Sequence, residues 1–242
     1  MIKKYFSLIM LAMTMIFVIS CKQPQKSVSQ MEDEHPGTVP GQQSLTPASP
    51  EHVAQRLATF APFTLTSDIS HLSASEKQIL SILFDVADIM DELFWLQAVG
   101  PRDPFLARIQ DETTKKFAVI NYGPWDRLDG NNSFIAEIGP KPLGANFYPV
   151  DMTKEEFEAY VDPDKKSLYT LIRRNAEGKL YTVWYHQAYE TQLKKASGLM
   201  KQAAALAEDA GLKKYLELRA DALLNSQYQP SDFAWMEMRN SN

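Results

Sequence analysis

The spacing of hydrophobic residues along this chain changes twice, and each change marks a different kind of segment. Residues 6–19 are a largely apolar run without a charge, preceded by Lys3 and Lys4. Residues 22–50 carry few apolar side chains and many Pro, Ser, Gln and Gly. From Glu51 onward the apolar residues recur mostly three and four apart, the period of an amphipathic helix.

That period predicts a mainly α fold: a helical lobe with a long Gly- and Pro-rich structured loop and at most a small β element. Pro50 and Glu51 open a short helix that Pro62 stops, and residues 63–72 read as extended. Ser73 or Ser75 then caps a long helix with Glu76 in its first turn. Its apolar positions include Ile79, Leu83, Val86, Met90, Leu93 and Phe94, and Gly100-Pro101 ends it. A second helix is expected over 103–120, folding back on the first as an antiparallel hairpin. Residues 121–150 break the rhythm with Gly, Pro and Asn, predicting the long loop and a short hairpin around 134–138. Thr153 caps a helix over 154–160, with Glu156 at the capping-box position. A helix over 165–175, a turn at 176–179 and a brief strand over 180–185 follow. Long helices over 186–208 and 211–224 complete the pattern, and no repeat of solenoid period is present. The segment YQPSDFAWMEM, residues 228–238, is either a helix docked on the body or a place where the chain stops inside a larger domain.

Length and composition sharpen the picture of the N-terminus. The apolar run has 14 residues, whereas a helix needs roughly 20 to cross the hydrocarbon core. Val18, Ile19 and Ser20 lead into Cys21, the arrangement that a bacterial lipoprotein signal peptidase reads. Residues 1–20 are therefore expected to be a cleaved signal peptide and Cys21 the lipidation site, with an uncleaved anchor as the alternative. Cys21 is the only cysteine, so an internal disulfide is impossible. Several acyl chains on Cys21 would hold the protein at a membrane, and Lys22 after it favours the outer membrane of a Gram-negative cell. Residues 21–50 read as a disordered tether to a folded part spanning 51–242, long enough for one sizeable core or two small ones. Cleavage would remove Lys3 and Lys4 and take the net charge from −5 to −7. No basic face stands out, which argues against nucleic acid as a partner.

Candidate chemistry is sparse. His35, His52, His71 and His186 are too scattered for an HExxH pattern, and His186 with Glu190 makes at most a two-ligand pair. His186 reads as a helix-start residue. The sequence has no phosphate-binding Gly loop and no GxSxG elbow, so it shows no complete catalytic constellation. The 121–150 loop is richer. Tyr122, Trp125, Asp126 and Asn131, with Arg127, Asp129 and Asn132 between and beside them, join aromatic faces to hydrogen-bonding groups on a turn-rich backbone. That mixture suits an extended polar ligand such as a short peptide, and makes Tyr122, Trp125, Asp126 and Asn131 the candidate substrate-binding residues. The competing reading is architectural: Asp126 caps a turn and pairs with Arg127, while Tyr122 and Trp125 fill core.

Three blocks in order, NYGPWDRLDGNNSFI, KPLGANFYPVDMTKEEFE and LKKYLELRADALLNSQYQPSDFAWMEM, resemble the N-terminal part of a bacterial zinc-hydrolase group. That group is related to dipeptidyl peptidase III and its members are often lipoproteins. The resemblance covers about residues 60–238. It implies a two-lobed enzyme with a wide cleft, in which one lobe holds zinc on an HExxGH-type helix and a later glutamate, and the other contributes substrate-binding surface. Such enzymes release dipeptides from the amino ends of short peptides, with zinc-activated water as nucleophile and the motif glutamate as general base. In the group the zinc motif lies beyond the last of the three blocks, and this sequence does not contain it. The implied reading is a substrate-side lobe, inactive alone, with no catalytic or metal residue of its own and a zinc lobe missing or supplied by another chain. The alternative is a non-catalytic helical envelope lipoprotein that binds peptides or a partner protein. The first reading predicts an exposed apolar patch near Trp235; the second predicts that Trp235 is buried.

Overall fold

The computed structural model describes residues 43–238. Residues 1–42, with the signal peptide, Cys21 and most of the expected tether, lie outside the described residues.

The fold is mainly α, with two antiparallel two-stranded sheets. Its long helix, α2 (Ala74–Ala98), starts where local chemistry dictates. The Ser73 side chain accepts from the Glu76 amide, and the Glu76 carboxylate accepts from the Ser73 amide at 2.7 Å. Helix α2 packs on α7 (Glu190–Leu206), α7 on α8 (Ala210–Asn225), and α8 on α9 (Gln229–Glu237). Ile79, Val86, Ile89 and Leu93 meet Leu193, Met200, Leu216 and Leu223 in this bundle core. Ala196, Ala203 and Ala220 are fully buried there, small side chains that let helix backbones come close.

A second core lies at the C-terminal end of α2. Trp95 joins Phe105 of α3 (Arg102–Ala107), Phe117 of α4 (Glu112–Asn121) and Val53 of α1 (Pro50–Leu57). Leu45, Ile109, Phe134 and Ile135, all outside helices, complete it. The folded part therefore begins earlier than the expected tether boundary at residue 50. Leu45 is buried and bridges Ile109, and Pro47 bridges Ile135.

Several expected elements are rearranged, each for a physical reason. The helix expected over 103–120 is split into α3 and α4. Asp111 N-caps α4 by accepting from the Thr114 amide and hydroxyl, both at 2.7 Å, while Ile109 leaves the helix to pair with Leu45. The expected hairpin with α2 does not form; α2 packs along α7, and α4 packs on α1. The loop hairpin sits earlier than expected, β1 (Trp125–Asp126) against β2 (Asn132–Ser133), because Phe134 and Ile135 are drawn into the second core.

The helix expected over 165–175 is instead β3 (Thr170–Arg174), paired in full register with β4 (Leu180–Trp184) from Thr170–Trp184 to Arg174–Leu180. Gly178 at φ +75° and the Asn175 side chain, which accepts from the Glu177 and Lys179 amides, make the turn. A partner strand this close, and burial of Leu171 and Ile172, outweigh a weak helical pattern. The helix expected over 186–208 breaks at Tyr189 (φ −118°, ψ 33°), leaving a short α6 (Tyr185–Ala188) before α7. In α5 (Lys154–Ala159) Thr153 does accept from the Glu156 amide, but the Glu156 carboxylate takes the Arg174 guanidinium at 2.6 and 2.7 Å.

Helix α9 docks through Ser231 and Ala234, and leaves Phe233, Trp235 and Met236 between 54% and 69% exposed. Among the described residues no helix is long and apolar enough to cross a membrane.

Candidate substrate cleft

The loop after α4 is fastened by its own polar side chains. Helix α4 ends at Tyr122, which takes the left-handed conformation (φ 53°, ψ 43°) of a C-cap. The Tyr122 hydroxyl donates to Asp91 of α2 at 2.6 Å, and its ring meets Phe94 edge-on at 4.6 Å. The bond to the Asp91 carboxylate pushes the phenol pKa up. Trp125 is buried and donates from its indole N–H to the Gly139 carbonyl at 2.9 Å. Asp126 is buried as well. Its carboxylate accepts from Arg56 Nε at 2.6 Å and from the Leu128 amide at 2.9 Å, and its carbonyl accepts from the Asn131 amide.

Three of the four candidate residues, Tyr122, Trp125 and Asp126, are thus committed to internal bonds. The expected Asp126–Arg127 pair is not made: Arg56 of α1 is the partner, while Arg127 donates to the Ile120 carbonyl and lies over the Tyr122 ring. Asn131 is different. It is exposed, left-handed at φ +60°, and faces an open cleft of about 860 Å³.

One wall of the cleft is the β1–β2 turn, with Asn131 and Asn132; the other is residues 138–147, with Ile138, Lys141, Leu143 and Phe147. Gly144 (φ +80°) and Ala145 (φ +47°) are left-handed, and a side chain at Gly144 would collide with the Tyr148 ring. The turn Ala145–Phe147 rests on α2, where the Asn146 side-chain amide donates to the Leu96 carbonyl at 2.9 Å. Leu96 lies in the last turn of α2, whose carbonyls lack partners within the helix. Lys141, Leu143 and Phe147 were not singled out by pattern; the available signal was a Leu between Pro and Gly, 96% exposed in the structure.

A smaller hollow of about 360 Å³ is lined by Asp88, Asp91, Glu92, Arg102 and Asp103. Among the described residues no three His, Cys, Asp or Glu converge so as to hold a metal. His186 Nδ1 is engaged with the Ser226 hydroxyl at 2.9 Å, and the break at Tyr189 separates His186 from Glu190.

No family model matches the chain. Two solved structures share its fold. The structure of DPP III from Caldithrix abyssi is 37% identical with a TM-score of 0.72, over 77% of this chain and 38% of its own. That of dipeptidyl-peptidase III from Corallococcus sp. strain EGB is 34% identical with a TM-score of 0.71, over 78% and 38%. A curated relative, Nudix hydrolase 3 of Arabidopsis thaliana, is 26% identical over 246 residues, 76% of this chain and 32% of the plant protein. The chain thus spans less than two-fifths of each of these proteins. Its folded part is a dipeptidyl peptidase III-like N-terminal part.

Proposed function

We propose that this protein is the substrate-side lobe of a zinc-dependent, dipeptidyl peptidase III-like peptidase, held at the cell envelope through a lipid on Cys21. The observation that carries the peptide-binding role is the cleft. It is about 860 Å³, large enough for several residues of extended chain, and is walled by side-chain amides and apolar groups. Tyr122, Trp125 and Asp126 act in this reading by fixing the loop, and Asn131 by meeting the peptide. Zinc and the general base belong to residues outside this sequence, which has no HExxGH motif. Binding of short peptides to the mature chain, followed by calorimetry, tests the cleft. The chain purified alone is expected to bind them, to hold no stoichiometric zinc and to leave dipeptidyl-arylamides intact; hydrolysis or tightly held zinc would refute the assignment of the chemistry elsewhere.

The exposed Phe233, Trp235 and Met236 support a lobe that packs against further protein, over a self-contained peptide-binding lipoprotein. For the anchor, mass spectrometry of the amino-terminal peptide is expected to show an acylated Cys21. Fractionation is expected to place the protein in the outer membrane, and Cys21→Ser to release it.

A further inference from the structure

The residues lining the cleft include a single ionisable side chain, Lys141. The chain as a whole is acidic, and several of its lysines pair with carboxylates: Lys115 with Glu112, Lys194 with Glu190, Lys201 with Asp221, Lys214 with Glu237. Among the described residues Lys141 has no carboxylate partner. Its ammonium lies 5.9 Å from the Trp125 ring centroid and donates to the Asn131 side-chain oxygen at 3.4 Å. An ammonium has three N–H donors, so this arrangement orients it and leaves donors for a ligand. The nearby acid Asp129 is bonded to the Asn132 amide at 3.3 Å and is not part of the lining.

The backbone around Lys141 points the same way. Ala145, on the wall opposite Asn131, sits at positive φ without being glycine. Such conformations persist only where surrounding structure over-determines them, and they concentrate at ligand clamps. Ile138, Leu143 and Phe147 add apolar surface beside the cation.

We infer that Lys141 reads a carboxylate, so that the cleft selects short peptides presenting an anionic group next to an apolar side chain. This rests on the peptide-binding reading of the cleft and adds its charge preference. The carboxylate can be the peptide's own C-terminus or an acidic side chain, and the test separates the two. Three probes are titrated into the mature chain by calorimetry: a leucine-rich tetrapeptide with a free C-terminus, the same peptide amidated, and an amidated version carrying one glutamate. The free acid is expected to bind about tenfold more tightly than the plain amide, the size of one charge-assisted hydrogen bond. If a side chain serves as well, the glutamate amide regains that factor; if only the C-terminus is read, it does not. Lys141→Gln is expected to erase the discrimination and Lys141→Arg to keep it, both with unchanged melting. Equal affinity for free acid and both amides, or discrimination that survives Lys141→Gln, overturns the carboxylate reading and leaves the peptide cleft standing. Failure of all three probes to bind overturns both.

Discussion

The two cores of this protein are built on opposite plans. In the bundle, α2, α7 and α8 meet along helical stripes, with alanines at the closest approaches and each contact prepared by a local period of three and four. Around Trp95 the core is assembled from pieces. Short or irregular segments contribute one or two large side chains each, and the joints are polar: Arg56 to Asp126, Thr46 to Glu137, Tyr122 to Asp91. Repetition makes the bundle tolerant, since many similar contacts share the load. The second core depends on a few aromatic residues and on bonds between residues far apart in sequence, and the candidate cleft draws on both plans: its Ile138 packs on this core and its Phe147 on the bundle.

Truncation of the aromatic centre is expected to break that contrast most severely. Phe117 is fully buried between Phe60 and Phe134, and Phe117→Ala is expected to cost about 3 to 5 kcal/mol. Urea melts should show this loss, and limited proteolysis should cut first within residues 121–150. In the bundle, Ala203→Leu overfills a closed helix contact and is expected to cost about 1 to 3 kcal/mol, with peptide binding retained. Loss of the cap that splits α3 from α4, Asp111→Ala, is expected to cost about 1 kcal/mol, again by urea melts.

The smallest effects are pH-dependent and of opposite sign. Glu137, accepting from the Thr46 amide and hydroxyl, and Asp111, accepting from Thr114, are held below their ordinary carboxylate range by those bonds. Their contribution is present above the unfolded carboxylate pKa and lost as pH falls through the folded value. Acid should therefore loosen these joints of the second core, seen as faster proteolysis near Leu45. On the bundle side, burial pushes the Tyr185 phenol up to about 12 and raises Tyr189 and Tyr228 too. That stability is present below the ordinary tyrosine range and lost as pH rises toward the folded value, which thermal melts across the alkaline range would record.

The bundle was legible in the sequence because its signals are local. Ser73 and Glu76 sit three residues apart, and the α2 stripe repeats within one helix. The failures share a cause, which is competition from distant partners. Residues 170–174 carry a passable helical pattern, and only the facing strand makes them β3. Asp126 was readable as a polar loop residue, but its partner Arg56 lies 70 positions away and leaves no trace in spacing. Of the candidate site, Asn131 was recognisable from its turn-rich neighbourhood. Lys141 was not, since a lone lysine between prolines looks like any solvated charge.

Helix α2 belongs to both cores. Ile79 to Leu93 serve the bundle, Trp95 serves the other, and the Leu96 carbonyl receives the cleft turn through Asn146. Its 25 residues make a rod of about 37 Å. Such a member works as a strain gauge. Hydrogen–deuterium exchange in the middle of α2 is therefore expected to slow when the cleft is filled, although the cleft turn meets the rod only at its last turn.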